Sequence, residues 1–142
     1  MLRVVLDTNV FISGLLSRTG ASAQALNAWR ERRYLLVTSD AIIAEIQAVL
    51  NYPHIRNKYA IPDEDIRQLV AILHKDALLV PGKANVAGTV PPDPEDEKFL
   101  ACAMESLADL IVSGDHHLLE LGVYQEIPII TVRQFMDLIP PG

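Results

Sequence analysis

Two aspartates in this chain stand directly after short apolar runs. Asp7 follows Leu-Arg-Val-Val-Leu at residues 2–6, and Asp115 follows Leu110–Val112 through Ser113 and Gly114. A β-branched run of that kind reads as a strand buried on both faces of a parallel sheet, although pattern alone does not separate it from a buried helix segment. If both are strands, both carboxylates lie at carboxyl ends, where open α/β sheets bind ligands at the point of strand-order reversal. Two more acids are placed to join them. Glu45 borders an apolar helix face made by Ile42, Ile43, Ile46, Val49 and Leu50, and Asp96 begins a helix after Asp93-Pro94-Glu95.

Each acid also has a plainer explanation. A glutamate on the edge of an apolar face is usually just solvated. Asp93 is a good N-cap, Pro94 a good first helical residue, and Glu95 and Asp96 complement the helix dipole. Asp7 and Asp115 suit the capping position that ends many βα loops. None of this forbids a shared site, because a cap aimed at the carboxyl edge of the sheet delivers the same carboxylate there. Two unit charges at ~4 Å repel by about 4 kcal/mol at an effective dielectric of 20, so four converging carboxylates call for a cation. A hard ion with oxygen ligands, Mg²⁺ or Mn²⁺, suits a site of few carboxylates, open waters and a phosphate substrate. Thr8, Asn9 and Ser113 are near enough in sequence to orient waters or carboxylates.

The elements that must position these residues alternate. Strands are predicted at Leu2–Leu6, Leu35–Thr38, Leu78–Val80, Leu110–Val112 and Ile127–Thr131. Helices are predicted at Val10–Leu16, Ala21–Arg33, Ala41–Leu50 after a Ser39 or Asp40 cap, Pro62–Lys75, Pro94–Leu107, His116–Leu121 and Val132–Leu138, with a short irregular or helical piece from Pro53. Residues 81–94, rich in proline, read as a surface loop. Such alternation implies βαβ units, a parallel sheet and helices on both faces, within one domain spanning 1–142.

Composition narrows the function. No apolar run approaches the ~20 residues of a membrane span, and Asp7 interrupts any signal-peptide core, so a cytoplasmic protein is expected. Cys102, the lone cysteine, lies on the apolar side of its helix with Phe99 and Ala103 and reads as packing. His116-His117 lacks i, i+4 spacing and a cysteine companion, which argues against zinc. There is no glycine-rich phosphate loop after the first strand and no Ser-His-Asp set. A haloacid-dehalogenase-type phosphatase would want a second acid where this chain has Asn9.

The net charge of −6 argues at first against a nucleic-acid partner. Residues 1–58, however, carry seven Lys/Arg against four acids, and metal-bound acids would no longer repel phosphate. Arg18, Arg30, Arg32, Arg33, Arg56 and Lys58 are the candidate phosphate contacts. For Arg30, Arg32 and Arg33 the competing account is that cations in a last turn offset the helix dipole.

Taken together, Asp7-Thr8-Asn9 after a buried strand, Glu45 in the second main helix, Asp93-Pro94-Glu95-Asp96-Glu97-Lys98-Phe99-Leu100-Ala101, and Ser113-Gly114-Asp115 before Leu118-Leu119 resemble the PIN-domain family. The likeness spans nearly the whole chain and is nearest to VapC-like toxin components of bacterial and archaeal toxin-antitoxin pairs. It implies a metal-dependent ribonuclease on an α/β/α sandwich with a parallel sheet of four or five strands in the order 3-2-1-4-5. It also implies that Asp7, Glu45, Asp96 and Asp115 form an acidic tetrad around Mg²⁺ or Mn²⁺, and it makes RNA, a cognate antitoxin and a second copy of the chain the expected partners. Asp7 and Asp96 would bind the ion directly and Asp115 directly or through water. Glu45 would bind a second ion or help deprotonate the water. Asp93 and Glu97 flank Asp96, so the sequence leaves open which of them shares its role. The contrasting reading is a catalytically silent RNA- or protein-binding module whose acids are helix caps.

Overall fold

The computed structural model describes residues 1–86 and 94–139. The strands are β1 (Arg3–Leu6), β2 (Leu35–Ser39), β3 (Leu78–Val80), β4 (Leu110–Val112), β5 (Val123–Tyr124) and β6 (Ile127–Ile130). The helices are α1 (Thr8–Leu16), α2 (Ala21–Arg30), α3 (Asp40–Leu50), α4 (Pro53–Tyr59), α5 (Asp63–Asp76), α6 (Glu97–Ser106), α7 (His116–Leu121) and α8 (Val132–Leu138). A 3₁₀ turn, Pro94–Asp96, leads into α6.

The six strands form one sheet in the order β3-β2-β1-β4-β6-β5. All pairs are parallel except β5 with β6. The expected order 3-2-1-4-5 thus holds with β6 as its fifth strand. The two-residue β5 extends the sheet beyond the four or five strands anticipated, as the first arm of a tight hairpin. Val4 and Val5 point to opposite faces of the sheet and are both fully buried, so helices cover both sides. α2 packs against α1 and α8, while α6 lies across β1, β2, β3 and β4.

From β1 the chain winds outward through β2 to β3, then crosses back to β4 on the other flank. The β1/β4 boundary is therefore the point at which strand order reverses. Register carries that boundary to the edge: Leu6 pairs with Val112, and the Asp7 N–H donates to the Val112 carbonyl at 3.0 Å.

Two helices stop short of their expected ends, at Arg30 instead of Arg33 and at Ser106 instead of Leu107. α2 ends at Arg30 because Arg32 turns left-handed (φ 60°), with the Arg32 N–H donating to Trp29 and the Arg33 N–H to Ala28. α6 ends at Ser106 in the same way, with Leu107 left-handed (φ 52°). Both are Schellman stops in which a bulky residue occupies the position glycine usually fills.

The core is tight around β1 and α2. Tyr34 meets Phe135 edge to face at 5.0 Å and donates its hydroxyl to the Ala25 carbonyl at 2.7 Å. Gly14 in α1 faces α2 so closely that a Cβ there would lie 2.6 Å from the Ser22 carbonyl oxygen and 2.8 Å from the Leu26 side chain. Cys102 is fully buried and burial pushes its thiol up to about 12, in keeping with a packing role.

Candidate active site

At the carboxyl edge, Asp7, Glu45, Asp96 and Asp115 line a single cleft of about 400 Å³, together with Thr8, Asn9, Val49, Tyr52, Glu95, Lys98 and Phe99. The four acids come from four separate elements. Folding alone brings them together.

Asp7 ends β1 and caps α1. Its Oδ1 accepts the Val10 N–H at 2.8 Å, and its Oδ2 accepts the Ser113 hydroxyl and the Gly114 N–H at 3.2 Å. Burial pushes the Asp7 carboxyl above the ordinary aspartate range. The bonds from Ser113, Val10 and Gly114 pull against that rise, and the charge of Asp115 adds to it. Ser113, fully buried, also accepts the Asp115 N–H at 2.9 Å, so one hydroxyl couples the two strand-end aspartates. Asp115 caps α7 through Oδ1, which accepts the N–H groups of His117 and Leu118 at 2.8 and 3.2 Å. Capping and cleft lining thus coincide in Asp7 and Asp115.

Glu45 is half-buried on α3 and forms an ion pair with Lys98 on α6. Asp96, only 6 % exposed, stands at the junction of the 3₁₀ turn and α6. The helix predicted from Pro94 therefore begins as a tighter turn, which sets Glu95 and Asp96 on the cleft. Glu97 lines a different hollow, with Gly82, Lys83 and Ala84. Asp93 lies outside the described residues.

Lys98 is the cleft residue that sequence reasoning passed over. Burial draws its ammonium down, but the hydrogen bonds and charges of Glu45 and then Glu95 outweigh that and hold it above its usual value. A signal was present: a cation in the first turn of a helix faces the positive end of the dipole, so helix stability does not explain it. Tyr52 carried no comparable signal.

None of the six basic residues expected to contact phosphate lines this cleft. Arg30 and Arg32 line a hollow at the opposite, amino edge, because α2 ends just before β2 begins. Arg33 pairs with Glu31 at 3.9 Å. Arg56 is bound to Asp63 at 2.6 Å, and Lys58 lies over the Tyr59 ring. Arg18 is exposed in the loop after α1.

The profile described as PIN domain matches residues 3–117, a span that includes every acid of the cleft. The chain belongs to the PIN-domain family. This PIN domain is 32 % identical over 120 residues to the uncharacterized protein MJ1680 of Methanocaldococcus jannaschii, covering 84 % of the chain and 75 % of that relative. Its fold is also similar to a chain in the crystal structure of VapBC2 from Rickettsia felis bound to a DNA fragment from their promoter. There the TM-score is 0.59 at 12 % identity, with 90 % of this chain and 97 % of that one covered.

The donors of this PIN-domain cleft fit a hard divalent ion in kind: carboxylate oxygens, plus the buried Thr8 hydroxyl, which has no hydrogen-bond partner. Among the described residues, no three acids are already gathered tightly enough to grip an ion. Peptide N–H groups hold Asp7 and Asp115, and Lys98 holds Glu45. No helix among the described residues is long and apolar enough to cross a membrane.

Proposed function

We propose that this PIN domain hydrolyses RNA phosphodiester bonds with a bound Mg²⁺ or Mn²⁺, as the toxin of a toxin-antitoxin pair. The observation that carries the reading is the convergence of Asp7, Glu45, Asp96 and Asp115, remote in sequence, on one cleft at the switch point of the sheet. PIN domains are generally nucleases, which gives the cleft its reaction class.

Asp7, Asp96 and Asp115 would hold the ion, with Thr8 and Asn9 placed to bind its waters. A bound ion of this kind supplies Lewis acidity toward a phosphoryl oxygen and a more acidic water. Ser113 bonds to Asp7 and to the Asp115 N–H, and Asp96 reaches the cleft from the 3₁₀ turn before α6. Glu45 stands across from them with Lys98 bonded to it, so that it faces the attacking water as a hydrogen-bond acceptor through its remaining lone pairs. In-line attack would leave a 5′ phosphate and a 3′ hydroxyl. A protein antitoxin and a second copy of the chain are the partners that family likeness and the VapBC2 neighbour support.

Purified protein incubated with single-stranded RNA and Mn²⁺ is expected to cut it, and Asp7→Asn is expected not to. Uncut RNA in both would end this reading. The silent binding module has one observation in its favour, the helix-capping bonds of Asp7 and Asp115. Under it, millimolar Mg²⁺ leaves the melting temperature unchanged.

A further inference from the structure

The charge balance of the cleft rests on one ammonium. Lys98 Nζ pairs with Glu45, lies 3.3 Å from Glu95 Oε2, donates to the Glu95 carbonyl at 2.8 Å, and sits 5.1 Å from the centre of the Phe99 ring. Its side chain is only 16 % exposed, a depth at which a charge persists when it is paired. The helix that carries it disfavours it there, since it occupies the first turn of α6. Its partners explain the position: Glu45 approaches from α3 and Glu95 from the 3₁₀ turn. An ammonium brings a positive charge and three hydrogen-bond donors to that end of the cleft without a coordination shell.

We propose that Lys98 takes the place of a second divalent ion: the cleft holds one ion among Asp7, Asp96 and Asp115, and the lysine keeps Glu45 and Glu95 occupied. Lys98 is then a positioning residue that fixes metal stoichiometry. The inference rests on the metal-dependent reading above, and its failure is separable from that of its parent.

Mn²⁺ binding to the whole chain, counted from the loss of the free-ion electron paramagnetic resonance signal, tests it. The wild type and Lys98→Arg are expected to bind one Mn²⁺ per chain. Lys98→Met and Lys98→Gln, each checked for folding by circular dichroism, are expected to bind two, the second more weakly. Two ions in the wild type would overturn the inference and leave the metal-dependent reading standing. A folded Lys98→Met or Lys98→Gln that still binds one would overturn it too, and no ion in the wild type would overturn both. A Mn²⁺-soaked crystal of the wild type gives a check that needs no variant. One anomalous peak beside Asp7, with Lys98 still bonded to Glu45, is expected; a peak against Glu45 refutes it.

Discussion

The carboxyl and amino edges of the sheet carry opposite charge for different reasons. At the amino edge, Arg30, Arg32 and Lys75 line a hollow of about 310 Å³, with Asp76 as its acid. Arg30 lies in the last turn of α2 and Lys75 in the last turn of α5, where the dipole favours cations. Helix electrostatics account for them. At the carboxyl edge they do not suffice: Glu45 lies within a helix, Lys98 opposes its own, Asp7 is desolvated, and the Thr8 hydroxyl is buried without a partner. The candidate site is marked by side chains that local stability alone would not select.

The contrast is broken most directly by activity. Asp7→Asn is expected to lower Mn²⁺-dependent RNA cleavage by at least roughly 100-fold, whereas Lys75→Ala should leave it unchanged. Equal losses, measured as initial rates on the same RNA, would show that the amino edge takes part in the chemistry.

Next comes ligand-linked stability. Mn²⁺ at 100 times its dissociation constant should add about 2.7 kcal/mol to unfolding in denaturant, an increment that disappears in Asp96→Asn and persists in Lys75→Ala. Its pH dependence has a definite sign. Burial and Asp115 keep the proton on Asp7 to a higher pH than on an ordinary aspartate, so acidification should cancel the increment above the usual carboxylate range. In the ion-free protein, a carboxyl raised on folding contributes stability at low pH that is lost as pH rises through its folded value. Denaturant curves with and without Mn²⁺ across the acid range should therefore converge on acidification.

Ser113→Ala sharpens the comparison within the cleft. It leaves Asp7 Oδ2 with the Gly114 N–H and without its hydroxyl donor, and should destabilise by about 1–3 kcal/mol. It should also move the acid limb of Mn²⁺ stabilisation to higher pH, because the Ser113 bond holds the Asp7 carboxyl down. Loss of stability without that shift would mean that Ser113 only packs. The smallest effect belongs to the amino edge: Arg32→Gly relieves a left-handed residue and should stabilise by roughly 0.5–1 kcal/mol, seen as a raised denaturation midpoint with cleavage unchanged.

That last substitution shows where sequence and structure part. The apolar runs marked β1, β2 and β4 because buried parallel strands leave a compositional trace, and β3 was marked by its apolar run although it lies at the sheet's edge and is only partly buried. The cleft acids were legible because two of them follow such strands. The ends of α2 and α6 left no trace, since Arg32 and Leu107 turn left-handed without being glycine. The β5–β6 hairpin escaped for the same reason: Gln125 and Glu126 both take positive φ, a turn that Asn-Gly would have announced. Lys98 was missed because its meaning depends on Glu45, more than fifty positions away and on another helix.

The close approach at Gly14 bears on how the cleft is framed. A methyl group there would collide with the main chain of α2, so α1 and α2 mesh like a key in its lock. Asp7 and Thr8, at the root of α1, are seated in the cleft by that close fit. Across the cleft α3 and α6 meet through Glu45 and Lys98, and α3 packs against α1 as well.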